Sequence, residues 1–159
     1  MADVVPGAER GDGALGRAGL DAVDDAVARL GPPRAEIAVV GFSQGACLAL
    51  EWAARRGSGV GAVVALSGGL VGTSDLDGSR DDLYGHPGKA FDYPGDLTGT
   101  RIVVTCHEQD PHIPVSRARE TVAALSRMGA AARLVVHPGA GHQPMPDGIA
   151  AARDALGAA

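Results

Sequence analysis

One stretch, IAVVGFSQGACLALEW from Ile37 to Trp52, limits what this chain can become more than any other. Ile37, Ala38, Val39 and Val40 form a short apolar run suited to a strand, and the Ala- and Leu-rich residues from Gln44 onward suit a helix. Between them lies Gly41-Phe42-Ser43-Gln44-Gly45. A strand that passes directly into a helix through Gly-x-Ser-x-Gly must reverse sharply, and in that context the central serine stands exposed on a strained turn as a nucleophile. Gly41 and Gly45 are expected to be glycines because a side chain at either position would collide as the helix folds back on the strand. Ser43 is therefore the candidate nucleophile. The Gln44 amide, at the helix N-terminus with the dipole behind it, is the candidate oxyanion donor. A plain loop is the competing reading in a chain with 24 glycines, and the flanking strand and helix weigh against it.

The remaining segments alternate. Leu15, Gly19, Ala22, Val23, Ala26, Val27 and Leu30 recur at helical spacing, with Asp21, Asp24, Asp25 and Arg29 expected on a solvated face. Asp12 is the expected N-cap of that helix, and Gly31-Pro32-Pro33 its stop. A helix over Gln44 to about Arg56 and a strand over Val60–Leu66 follow, the latter apolar throughout as in strands buried on both faces. Further strands are expected at Arg101–Cys106 and Ala132–His137. A helix over Val115–Met128 should turn Val115, Ala118, Val122 and Leu125 inward. A last helix starting behind Asp147 should use Ile149, Ala152 and Leu156. This order predicts an α/β protein with a mainly parallel sheet of about four strands, right-handed crossovers and a site at the carboxyl ends of the strands.

With 159 residues, the chain is expected to form a single domain over 1–159, with coil at 1–13. Residues 70–99 show no period, and Tyr84, Phe91 and Tyr93 fall within them. A lid-like loop whose aromatics contact an apolar substrate group is the expectation.

The net charge of -5 comes without a basic cluster, so no nucleic-acid partner is expected. No apolar run reaches membrane-spanning length and residues 1–13 carry no signal-like segment, so the expectation is a soluble cytoplasmic protein with no membrane insertion. Cys47 and Cys106 lack metal-type spacing and are read as reduced and packed. Five histidines without a His-Glu-x-x-His pattern, and the lack of a phosphate loop, point to no metal and no cofactor.

A serine hydroxyl needs a base in hydrogen-bond reach, and the base needs an orienting carboxylate. Asp110 lies just after the third strand and His142 in the loop after the fourth, in the order Ser, acid, His. His107, His112 and His137 compete for the role of base and Glu108 for that of acid, while Asp147 is expected to cap the last helix.

Gly41-Phe42-Ser43-Gln44-Gly45-Ala46, Ala65-Leu66-Ser67-Gly68, Asp110-Pro111-His112-Ile113-Pro114 and Pro138-Gly139-Ala140-Gly141-His142 together resemble the phospholipase/carboxylesterase branch of the α/β hydrolases, which includes acyl-protein thioesterases. The resemblance covers the chain from about residue 14 onward. It implies Ser43 as nucleophile, Asp110 as acid, His142 as base, Gln44 as one oxyanion donor, no cofactor, and a small carboxylic ester or thioester as substrate. Members of that branch carry further strands and a His-Gly loop with a second oxyanion donor ahead of the first helix, and residues 1–14 contain no match. The expectation is the carboxyl-terminal part of the α/β-hydrolase fold, N-terminally truncated, with the elbow strand as an open apolar edge that invites a second copy into a homodimer. A dienelactone-type chemistry is disfavoured, since it would be expected to place a cysteine where Ser43 stands, and Cys47 comes one helical turn later.

Overall fold

The computed structural model describes residues 14–71, 81–82, 86–87 and 91–157. Asp12 and Tyr84 lie outside the described residues. In chain order the elements are α1 (Ala14–Leu30), a 3-10 turn (Arg34–Glu36), β1 (Ala38–Phe42), α2 (Gln44–Arg56), β2 (Ala62–Leu66), β3 (Asp81–Asp82), β4 (His86–Pro87), β5 (Arg101–Gln109), α3 (Val115–Arg127), β6 (Ala131–Ala140) and α4 (Pro146–Leu156). Four strands form one sheet in the order β1-β2-β5-β6. Every pairing in it is parallel, with Ala38 opposite Ala62, Val63 opposite Ile102 and Val104 opposite Leu134. The unpatterned stretch after Leu70 contains one short element pair that periodicity could not show, the two-residue antiparallel ladder of β3 and β4.

Strand alternation divides the core. Val63, Ala65, Ile102 and Val104 point to the face covered by α2 and α3, where Leu50, Trp52, Leu97 and Leu125 complete the main cluster. Val64 and Leu66 of β2 and Val103 of β5 point to the opposite face and meet Ala151, Ala152 and Ala155 of α4. All five β2 residues are buried, as a continuous apolar run between two neighbours requires.

Helix faces differ from the periodic reading in two places. In α4 the buried residues are Gly148, Ala151, Ala152 and Ala155, while Ile149 and Leu156 are exposed. Small residues face the sheet because the helix lies close to it: a Cβ on Gly148 would come within 3.0 Å of Thr105 and 3.1 Å of His137. In α1 the acidic side is not simply solvated. Trp52 is fully buried and its indole N–H needs an acceptor, which Asp24 supplies at 2.7 Å. Arg56 donates to Asp21 and Asp24, so these acids lock α1 onto α2. Burial works against the Asp24 charge, but hydrogen bonds from Arg56 and Trp52 outweigh it and hold the carboxyl below its ordinary range.

Consequently Ala22, Ala26 and Leu30 face away from the core. They line an open groove of about 380 Å³ with Val39, Val40 and Leu48, between α1 and β1. Among the described strands β1 is an edge of the sheet, and its Val40 and Phe42 are 56% and 45% exposed.

Candidate active site

Ser43 sits between β1 and α2 with φ 52° and ψ -118°. Positive φ in a non-glycine residue costs on the order of 1–3 kcal/mol and persists only where its surroundings enforce it. Here the Ser43 N–H donates to Leu66 C=O at 2.9 Å, and its own C=O accepts from Cys47 N–H at 3.0 Å. The turn is thus clamped by the neighbouring strand on one side and by the first turn of α2 on the other.

The two flanking glycines have different reasons. A Cβ on Gly41 would run into the Gly45 carbonyl, whereas a Cβ on Gly45 would meet nothing within 4 Å. The expectation of collision therefore holds for Gly41 and is corrected for Gly45, whose backbone, not its missing side chain, makes the contact. Gly41→Ala is expected to destabilise the fold by about 3 kcal/mol through overpacking against backbone. Gly45→Ala is expected to be neutral or to stabilise by up to about 1 kcal/mol through helix propensity. Urea unfolding of the two variants checks this; equal midpoints would contradict the assignment.

Ser43, Asp110 and His142 meet at the carboxyl ends of the strands. His142 Nε2 lies 2.7 Å from Ser43 Oγ, and its Nδ1 lies 2.9 Å from Asp110 Oδ1 and 2.8 Å from Oδ2. The Asp110 side chain is fully shielded from solvent. Its Oδ1 also accepts the N–H groups of His112 and Ile113 at 2.8 and 2.9 Å. Burial pushes this carboxyl up, but the hydrogen bonds from His142, Ile113 and His112 prevail and hold it below the usual carboxylate range. Asp110 is therefore an ionised acceptor facing Nδ1, which places the imidazole proton on Nδ1 and leaves Nε2 free to accept from Ser43. Gln44 is the first residue of α2, so its N–H has no carbonyl one turn back to satisfy it.

The other histidines occupy distinct places. His137 is 1% exposed and its Nδ1 pairs with Asp147 at 3.0 Å. Asp147 thus orients a histidine as well as accepting the Gly148 N–H at 3.0 Å inside the first turn of α4. The N-cap position belongs to Met145, with no side-chain cap, which corrects the expectation for Asp147. Glu108 accepts the Gly139 N–H at 3.1 Å. His112 stands edge-on to the His142 ring at 4.7 Å.

Two contacts were not foreseen from sequence. Phe42 packs against the His142 imidazole, with ring centroids 5.4 Å apart, and strand alternation beside Ser43 could have suggested it. The Asp110 bonds to His112 and Ile113 are an Asx-type turn, for which Asp-Pro was the available signal.

Phe91 and Tyr93 pack onto the main core. The Tyr93 hydroxyl donates to Glu51 at 2.8 Å, and Arg117 lies 4.8 Å over the Phe91 ring. Glu51 also accepts the Val71 N–H at 2.8 Å, so one buried carboxylate ties together residues on both sides of the 72–90 stretch. These contacts anchor Phe91 and Tyr93 to the core. Burial raises both thiols, that of Cys106 to about 11, so neither is poised as a nucleophile. Among the described residues no group of three or more His, Cys, Asp or Glu could hold a metal ion, and no helix is long and apolar enough to cross a membrane.

A parallel sheet flanked by helices, with a strained serine at a strand-to-helix turn, defines the α/β-hydrolase fold. The family model described as "Dienelactone hydrolase family" matches residues 12–152, and the chain belongs to that family. A phospholipase/carboxylesterase from Dyadobacter fermentans DSM 18053 is 33% identical with a TM-score of 0.76, the match covering 91% of this chain and 64% of that one. The Bacillus cereus carboxylesterase shares the fold at 15% identity and TM-score 0.64, over 89% of this chain and 58% of its own. SOBER1 of Arabidopsis thaliana does so at 18% identity and TM-score 0.63, over 89% and 61%. The chain therefore spans about three fifths of the length of these structures. No curated protein matches the chain. The phospholipase/carboxylesterase resemblance and the family match agree on an ester-hydrolase fold; at the elbow stands Ser43, with Cys47 one turn on.

Proposed function

We propose that the chain is a serine hydrolase that cleaves carboxylic esters or thioesters through an acyl-enzyme. The observation that carries this reading is the continuous hydrogen-bonded series from Ser43 Oγ through His142 to Asp110. His142 Nε2 takes the Ser43 proton as Oγ bonds to the substrate carbonyl carbon, and the carbonyl oxygen becomes an oxyanion facing the Gln44 N–H. Asp110 stabilises the resulting imidazolium. His142 then gives the proton to the departing alkoxide or thiolate, leaving acyl-Ser43. Water, deprotonated by His142, attacks the acyl carbon and releases the carboxylic acid, and the proton returns to Ser43.

A serine-directed fluorophosphonate is expected to label the folded protein at Ser43, as read by peptide mass spectrometry. Folded protein that stays unlabelled would overturn the reading. That outcome favours the second one, a non-enzymatic binding module derived from a hydrolase, which the open apolar edge at Val40 and Phe42 supports. The same edge is where a second copy would pair.

A further inference from the structure

We propose that His107 is a positioning residue for His142, an inference that rests on the serine-hydrolase reading. His107 ends the buried part of β5 and is 2% exposed. Its Nε2 lies 3.3 Å from the Gln143 carbonyl oxygen. On the other side of His142, Gly141 packs so tightly on the same ring that a Cβ there would fall 2.7 Å from Cε1 and 2.9 Å from Nδ1. Both chain neighbours of His142 thus rest on one imidazole.

The bond fixes the tautomer. A carbonyl oxygen only accepts, so Nε2 must carry the proton and Nδ1 is left as a lone-pair nitrogen. That Nδ1 is buried without a hydrogen-bond partner. An orphaned buried acceptor is unfavourable, and an apolar side chain would fill this space without one. The imidazole is therefore explained by what its donor does, which is to hold the backbone at Gln143. The His107 ring also packs on the His137 ring, 5.1 Å away, which is itself buried and tied to Asp147. Glu108 holds the same loop further back, at Gly139, which is why loss of His107 should misplace His142 without releasing the whole segment.

Two substitutions separate donor from packing. His107→Gln keeps an N–H near the Nε2 position, and His107→Met fills similar length with no donor. His107→Met is expected to lower kcat on a short-chain chromogenic ester by about 10- to 100-fold, with KM changed less than about twofold. The low-field proton resonance of His142 Nδ1, bonded to Asp110, should broaden or vanish in substrate-free protein. His107→Gln should restore most of both. Wild-type values in His107→Met, or equal impairment in the two variants, would overturn the proposal. Ring nitrogen spectra of the unaltered protein give a test without substitution: His107 should be protonated at Nε2, and protonation at Nδ1 instead would overturn it. If the wild type hydrolyses no ester, the serine-hydrolase reading fails, while the resonance and the tautomer still decide what His107 does.

Discussion

Ser43→Ala is expected to lower ester turnover by on the order of 10⁴- to 10⁶-fold and to leave the fold intact. The hydroxyl is the group aligned with His142 Nε2 at 2.7 Å, and no thiol stands ready to replace it, because burial raises those of Cys47 and Cys106. Stability should change little. The main-chain bonds at this residue, from N–H to Leu66 and from Cys47 to C=O, survive the substitution, and alanine bears the same positive φ that serine does. Turnover of a chromogenic short-chain ester and a urea unfolding curve check both halves. Turnover equal to that of the wild type would remove Ser43 from the mechanism.

Asp110→Asn should cost on the order of 10⁴-fold in kcat for a reason specific to the way the carboxylate is held. Oδ1 accepts two main-chain N–H groups, so the amide oxygen of asparagine must take that place. Its NH₂ then falls where Oδ2 faced His142 Nδ1. Two donors cannot share that contact, so the ring shifts its proton to Nε2, which can no longer accept from Ser43. The substitution also changes the response to acid. Asp110 has its folded-state pKa depressed, so it contributes stability that is fully present above the ordinary carboxylate value of about 3.9. That contribution is lost as pH falls through the lower folded value. Asp110→Asn should lack this acid limb. Turnover measurements and acid-unfolding curves of the two proteins test the two effects separately, and wild-type turnover would show that the tautomer does not matter.

Much of the architecture was legible because the core strands are short apolar runs between glycines and because Gly-x-Ser-x-Gly has a required setting. Which helix residues face the sheet was less legible. Ile149 and Leu156 fit an apolar period, yet Gly148 and three alanines lie inside, since close approach to the sheet selects small residues over hydrophobic ones. The role of Asp24 was hidden for a related reason: its exposure depends on Trp52, which is 28 positions away and wants an acceptor. At the site, chain order brought Ser43, Asp110 and His142 into one hypothesis. The contacts of His107, His137 and Asp147 depend on how β5, β6 and α4 meet, and single-residue patterns carry no record of that.

Ser43 directly follows β1, an edge strand among the described strands. In a cooperative fold, protection against transient opening is greatest where strands have neighbours on both sides and least at an edge. Among the described strands β1 has β2 on one side only, so the backbone that sets the Ser43 angle lies at an edge, where opening is expected to cost less than in β2 or β5. Brief fraying of β1 would relax the strained Ser43 turn while the core around β2 and β5 stays closed. A ligand or chain lying along β1 would be expected to lengthen the lifetime of the strained Ser43 turn.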